Sequence, residues 1–448
     1  MLLRFSVKNL FCFADEAEFS MVATKDKNHP EHLCPADKFK ALRISALYGA
    51  NAHGKSRLVQ AMQRAKEIIT KGTEPGQTIP VKPFLLDRNL REQPSRFEFK
   101  FTFQEVIHTY GFVCDEKRIH EEWLFSQPFN QREVRLFERR TDVSGTSEFR
   151  MGRTLARSPT KNRNFLRFLM EGVRSNQLFL FHAVNLNLNA FDPVFKWFKY
   201  HLFAWSPDLL RHDTSLTPIP LYAHKDEHFC NFAGKFLQDS DTGINSIKVI
   251  EKDGDLDPFL QFLIANQEIQ PKDGLLSIKN QHEKDENFFV PSPDKKPRKI
   301  EILAIHQTKD GETVPFDMNE ESAGTRRLLE LLPLLHDTNN EERVFIIDEL
   351  DRTLHPSLSR SFIKTFLDIG NCNKNQLIFT THESNLLDLD LLRRDEIWFV
   401  EKDEAGKSHV YPLTSFKARP DINIARGYLQ GRFGAIPFFN HSSTLGQP

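Results

Sequence analysis

The strongest constraint in this chain of 448 residues is the run Gly49-Ala-Asn-Ala-His-Gly54-Lys55-Ser56, inside "ISALYGANAHGKSRLVQAM". Gly49 and Gly54 let the backbone wrap a phosphate with its N–H groups pointing inward, at the N-terminus of the helix that follows. Lys55 is placed to reach β- and γ-phosphates, and the Ser56 hydroxyl to hold Mg²⁺. Asn51 and Arg57 flank these groups and join the nucleotide-binding set. The surroundings fit: "LRISALYG" reads as a buried strand, and Leu58, Met62, Ala65 and Ile69 recur at helical spacing. A strand, a phosphate loop and a helix in succession require an α/β architecture.

Three further runs carry chemistry. Val344–Ile347 is wholly apolar, as expected of a central parallel strand covered on both faces, and it ends in Asp348-Glu349. An acidic pair at such a strand mouth suits Mg²⁺ coordination through the first carboxylate and activation of an attacking water by the second. "NEESAGTRRLLELLPLL" sets Ser322, Gly324 and Thr325 at the start of a leucine-rich helix. A hydroxyl, a glycine and free helix N–H groups form a second anion site there, or an ordinary helix cap. Pro333 is expected to kink that helix. A further apolar strand, 377–381, ends in His382, which can hydrogen-bond a γ-phosphate.

Elsewhere "LLRFSVKNLFCF" and "AEFSMVA" alternate like antiparallel strands. "RFEFKFTF" and "IHTYGFVC" read as a hairpin, with "RIHEEWLF" and "VRLFERR" as two more strands. Residues 163–205 read as helices rich in Phe, Leu and Trp, and 280–299 as an exposed loop. Heptads and internal repeats are absent. The length predicts two or three packed lobes, divided as 1–125, 126–300 and 301–448. Five cysteines, Cys12, Cys34, Cys114, Cys230 and Cys372, form no CxxC pair and point to a reducing compartment. The N-terminus lacks signal-peptide features and no window could span a bilayer, so a soluble cytoplasmic protein without membrane contact is expected.

The motifs stand in the order of an ABC-type ATPase, which the chain resembles. GANAHGKS looks like Walker A, SAGT like the signature motif, FIIDE like Walker B, Glu349-Leu-Asp351 like the D-loop region, and His382 like the switch histidine. The resemblance implies an α/β head with a mixed sheet and a helical insertion between Walker A and signature. It implies ATP and Mg²⁺ as ligands. Two heads would close face to face, with Ser322 and Gly324 of one copy contacting ATP held by Lys55 of the other. Glu349 would orient water, Asp348 would serve the metal and His382 the γ-phosphate. Gln77, Gln104 and Gln127 are the candidates for a Q-loop glutamine.

Positions 57–321 separate Walker A from the signature, longer than in transporter domains, and no coiled coil of the SMC kind fills the gap. The 66 residues after His382 are expected to be too few for the Toprim nuclease of the OLD family. What remains is most similar to AAA15-type ABC ATPases, the RloA-like and PARIS-ATPase-like proteins. "PFLLD", "YGFVCDEKRIHEEWLF", "RSNQLFLF" and "ARGYLQGRFGAIPFF" support this. Members imply anti-phage or abortive-infection roles, a separately encoded effector of nuclease type, a phage-encoded trigger and a homodimer or higher oligomer.

The alternative is a RecF- or SMC-like maintenance ATPase that binds DNA. Its support is segment 129–174, with eleven Lys/Arg against five acids in a chain of formal net charge −1. That segment is a candidate DNA or RNA contact, or a solvated basic face.

Overall fold

The computed structural model describes residues 1–153, 160–205, 219–253, 276–279, 286–290, 298–336, 342–369, 374–416 and 423–436. Cys372, Arg157 and the "PFF" of the terminal motif lie outside these. The chain divides into two compact units. One comprises Met1–Ser215, Asn339–Asp351 and Gly370–Pro448, and the other Leu216–Thr338 and Arg352–Ile369. The chain leaves the first unit and re-enters it twice, so the divisions do not fall at 126 and 301.

The first unit opens with β1 (Leu2–Lys8) and β2 (Ala17–Ser20), which pair antiparallel, followed by the small hairpin β3 (Leu33–Ala36) and β4 (Phe39–Leu42). The wholly buried β5 (Ile44–Tyr48) delivers the glycine loop to α1 (Lys55–Lys71). The meander β6 (Ser95–Phe103), β7 (Val106–Cys114), β8 (Ile119–Pro128), β9 (Val134–Thr141) and β10 (Ser147–Met151) then joins β1 and β2 in a seven-stranded sheet, ordered β10-β9-β8-β7-β6-β1-β2. Its alternating side chains explain many of the 40 phenylalanines. Phe97, Phe99, Phe101 and Phe103 of β6 all face inward. Phe101 stacks on Trp197 with ring centroids 3.9 Å apart, and Phe198 meets both rings edge-on. The aromatic helices after residue 178 are therefore core.

Helices Thr160–Gly172, Phe179–Asn185 and Asp192–Lys196 follow, but Leu202–Trp205 is a strand, β11. The expected helical run thus ends early. A four-residue apolar segment carries no period that separates helix from buried strand, and here its backbone groups pair in parallel with those of 344–347.

The second unit holds helices Ile219–Lys225 and Glu227–Asp239 and an antiparallel sheet. That sheet comprises β12 (Ile244–Asp253), β13 (Leu276–Lys279), β14 (Glu286–Val290), β15 (Arg298–Gln307) and β16 (Thr313–Asp317). Within the expected loop 280–299, Glu286–Val290 and the start of β15 are strands; 280–285 and 291–297 lie outside the described residues. The interval after the glycine loop thus contributes strands as well as helices. Helix Ala323–Leu331 breaks at Leu332 and resumes as Pro333–His336, the interruption that Pro333 predicts. Helix Pro356–Ile369 completes the unit.

Back in the first unit, β17 (Val344–Ile347), β18 (Gln376–Thr380), β19 (Ile397–Lys402) and β20 (Ser408–Pro412) build the second sheet, ordered β11-β17-β18-β5-β19-β20. All neighbours are parallel except β19 and β20. A parallel sheet puts its strands' C-terminal ends on one edge, so residues after 48, 347 and 380 converge.

A buried ion pair ties the meander to the helices. Glu122 accepts from the amides of Phe179 and Leu180 at 2.6 and 2.9 Å and from the Tyr110 hydroxyl at 2.9 Å. Arg139 lies 3.7 Å away and donates to the carbonyls of Gln177 and Arg174. Burial pushes the Glu122 carboxyl up, opposed by Arg139 and those amides. Arg139→Ala leaves that carboxylate without its cation and should lower the unfolding free energy by about 3–5 kcal/mol. Urea denaturation reads this as a lower midpoint; an unchanged midpoint would deny the pair any structural weight.

Candidate phosphate-binding site

The site is built at the C-terminal edge of the parallel sheet. Gly54 sits at φ 115°, a left-handed conformation that suits glycine, and precedes α1. A Cβ there would lie 2.8 Å from Ser408 Oγ and 2.9 Å from Cys12 Sγ, so space as well as backbone demands glycine. No side chain caps α1, which leaves the amides of its first turn for an anion. Ser408 Oγ donates to the His53 carbonyl at 2.6 Å and pins the loop from β20. Asn51 is exposed at the loop apex. Arg57 is exposed too, directed toward Gln60 and the Phe11 ring.

Lys55 is 5% exposed, and its Nζ donates to the carbonyls of Gly49 and Ala50 at 2.7 and 3.3 Å. Burial draws its ammonium down to about 8, while Asp348, Glu349 and Asp351 pull it back up. His382 Nδ1 lies 3.5 Å from the same Nζ. Burial and then Lys55 hold that imidazole below its ordinary value.

Across the sheet, Asp348 is 3% exposed. Its Oδ1 accepts from Ser56 Oγ at 3.1 Å and from Thr380 Oγ1 at 2.6 Å. Thr380 Oγ1 in turn accepts from the Glu349 amide at 2.8 Å. Glu349 is half-buried with φ 52°, a strained conformation for a side-chain-bearing residue. Asp351 Oδ2 accepts from the His382 amide at 3.3 Å, and its buried Oδ1 has no hydrogen-bond partner. The edge thus gathers a cation, two hydroxyls, three carboxylates and an imidazole. Ser56 and Asp348 offer the paired oxygens that a hard cation such as Mg²⁺ prefers.

Lys55, Ser56, Asp348, Glu349 and His382 are thus brought to one edge. Thr380 escaped sequence reasoning although it links Asp348 to Glu349; its only signal was its place in "TTHE". Of the glutamine candidates, Gln77 bonds the Glu74 amide and Gln127 the Gln131 carbonyl, both local turns. Gln104 lies in the turn between β6 and β7 with φ 52°.

Ser322, Gly324 and Thr325 belong to the second unit. Ser322 is an N-cap, its Oγ accepting from the Thr325 amide at 3.1 Å and lying 2.8 Å from Thr325 Oγ1. Ser322 is exposed, whereas Thr325 is buried and supports the serine. A Cβ on Gly324 would meet the Thr353 carbonyl oxygen at 2.8 Å.

Four cations of the basic segment are paired with acids. Arg135 meets Glu138, Arg140 meets Glu121, Arg167 meets Glu171, and Arg139 is the buried partner of Glu122. Arg139 therefore offers no surface charge to a phosphate backbone.

Among the described residues, no helix is long and apolar enough to cross a membrane, and Cys12, Cys34, Cys114 and Cys230 are free thiols. Residues 44–165 and 209–388 match the family described as "AAA domain, putative AbiEii toxin, Type IV TA system". No curated protein matches the chain. Similar solved structures include an Smc head bound to the C-terminal winged-helix domain of ScpA, at 12% identity and TM-score 0.43, covering 92% of this chain and 97% of that one. The SMC head of Thermotoga maritima follows at 12% and 0.38, covering 92% and 98%. The recombination mediator RecF with ATP gives 13% and 0.31, covering 92% and 97%.

Proposed function

The chain belongs to this AAA domain family of P-loop ATPases, and from that premise we propose that it binds ATP with Mg²⁺ between paired copies and hydrolyses it. The observation that carries the reading is the continuous link from Ser56 through Asp348 and Thr380 to Glu349, beside a buried Lys55. Lys55 and the α1 amides bind the phosphates. Ser56 and Asp348 would hold Mg²⁺, which would neutralise charge on the triphosphate. Glu349 accepts a proton from the attacking water, and His382 contacts the γ-phosphate. Ser322 and Gly324 of the second copy complete the pocket, and Thr325 fixes the serine.

The finer reading is a cytoplasmic ATPase of the AAA15 type in an anti-phage, abortive-infection system of the RloA or PARIS kind. There it serves as sensor and scaffold for a separately encoded effector released by a phage trigger. The family's description as a type IV toxin-antitoxin component agrees with a defence role.

Lys55 provides a test. Its buried ammonium releases a proton near pH 8, whereas an exposed lysine does so at 10.5. As pH rises through that window the folded chain sheds a charge that burial disfavours, and stability gains from this group. ATP needs the ammonium, so binding above pH 8 must take up a proton. Affinity should then fall by up to about tenfold per pH unit. Calorimetry at pH 7 and 9, in buffers of different ionisation enthalpy, should show proton uptake at the higher pH only, and no binding in Lys55→Ala. Saturable Mg·ATP binding in Lys55→Ala would overturn the assignment.

A further inference from the structure

Residues 29–32, His-Pro-Glu-His, form a single 3-10 turn entered through His29 at φ 45°. The turn stacks the two imidazoles, with centroids 4.8 Å apart, around the Glu31 carboxylate. Each ring has one nitrogen engaged from behind. His29 Nε2 lies 2.8 Å from the Leu389 carbonyl, an acceptor only, so that nitrogen carries the proton. His32 Nδ1 lies 3.0 Å from Glu396 Oε1, so it too is the donor. The opposite nitrogens both face the same carboxylate oxygen. His29 Nδ1 is 3.1 Å and His32 Nε2 3.8 Å from Glu31 Oε1. All three ligand atoms lie within 4.8 Å of one another. Two imidazole nitrogens and a carboxylate oxygen, all atoms that ligate transition metals, thus lie together at one turn.

We propose that His29 Nδ1, His32 Nε2 and Glu31 bind one divalent transition-metal ion of the zinc class. Ligand atoms around tetrahedral zinc stand about 3.3 Å apart, close to the two separations from Glu31. Two imidazoles with one carboxylate favour zinc over Mg²⁺ or Ca²⁺, which take oxygen ligands. The supporting shell is in place. Glu396 is wholly buried and its Oε2 accepts from the Arg393 amide at 2.7 Å, so the carboxylate behind His32 is itself fixed. Glu31 is the open side, its side chain 52% exposed, which gives an ion a path in and leaves positions for water.

The ion acts as a staple. Its ligands come from the turn at 29–32, while the groups behind them, Leu389 and Glu396, belong to the segment joining His382 to β19. Arg393 reinforces the same junction by donating to the carbonyls of Asn28 and Asp26, and Asp395 accepts from Thr24. The Glu396 carbonyl also accepts from Ser45 Oγ, where β5 begins, at the sheet edge opposite the phosphate loop. The cluster precedes residue 44, where the family match starts, and does not depend on the nucleotide reading.

The test uses the full chain, stripped with chelator, dialysed and free of nucleotide. Zn²⁺ titration should give one equivalent per chain and raise the melting temperature. Co²⁺ should show ligand-field absorption without the thiolate charge-transfer band that cysteine binding gives. Glu31→Gln and His29→Ala alter partly exposed positions and leave Ser56 and Asp348 intact. Each should weaken Zn²⁺ on the order of 100-fold and abolish the melting shift. Stoichiometric binding that survives both substitutions, a thiolate band, or no binding beyond that of Glu31→Gln would overturn the proposal. The last result would mean that a proton holds the cluster.

Discussion

Glu349→Gln should leave ATP bound and slow its hydrolysis by about 10²–10⁴-fold, the range for loss of a positioned general base. The two neighbouring acids are prepared for different tasks. Asp348 is buried and its Oδ1 is engaged by the hydroxyls of Ser56 and Thr380, which suits a fixed ligand and not a proton acceptor. Glu349 is half-buried at the edge, its backbone held in a left-handed conformation by the Thr380 hydroxyl. Glutamine keeps the size and polarity of that side chain and removes only its capacity to take a proton. Nucleotide retention should therefore be close to that of the unaltered chain while phosphate release collapses. Turnover within a few-fold of the original would transfer the role to another group, such as Asp351, whose Oδ1 has no hydrogen-bond partner.

Ser322→Arg should reduce hydrolysis to background while each chain still binds ATP through its own Lys55. The local penalty is small, since losing an N-cap costs about 1 kcal/mol and the position is exposed. Arginine at the tip of helix Ala323–Leu331 adds bulk where a second copy's triphosphate would approach. A merely structural cap predicts a lower melting temperature and normal turnover. The sandwich predicts the same small drop in melting temperature, as lost capping alone gives, together with lost turnover.

The residues gathered at the sheet edge were largely legible because they are local in sequence. Gly54, Lys55 and Ser56 are consecutive, and the apolar run 344–347 followed by two acids reads as a buried strand whatever surrounds it. Thr380 was not legible, because its hydroxyl matters only once β18 lies between β17 and β5. Leu202–Trp205 was read as helix because four apolar residues carry no period of their own. The terminal "GYLQGRFGA" entered only as a sign of resemblance, with no structural role assigned to it. In the structure Tyr428 stacks on Phe399, and the Ala435 amide and Tyr411 hydroxyl both donate to Glu401. At Gly434, φ 67°, a Cβ would lie 2.7 Å from Glu401 Oε2, so the glycine is required by a carboxylate more than thirty residues upstream. Arg139 was illegible for the same reason: composition counts it as surface charge, and the Glu122 pairing that buries it is a tertiary fact.

The account rests on each pocket being shared between two copies, and mixing two inactive chains tests this most directly. Lys55→Ala lacks the phosphate-binding lysine, and Ser322→Arg lacks the completing helix tip. A mixed pair contains one pocket built from the intact Lys55 of one chain and the intact Ser322 of the other. Random pairing with independent pockets should restore up to about a quarter of the original ATP turnover. No recovery at any mixing ratio, with both chains folded and associated, would contradict the shared pocket.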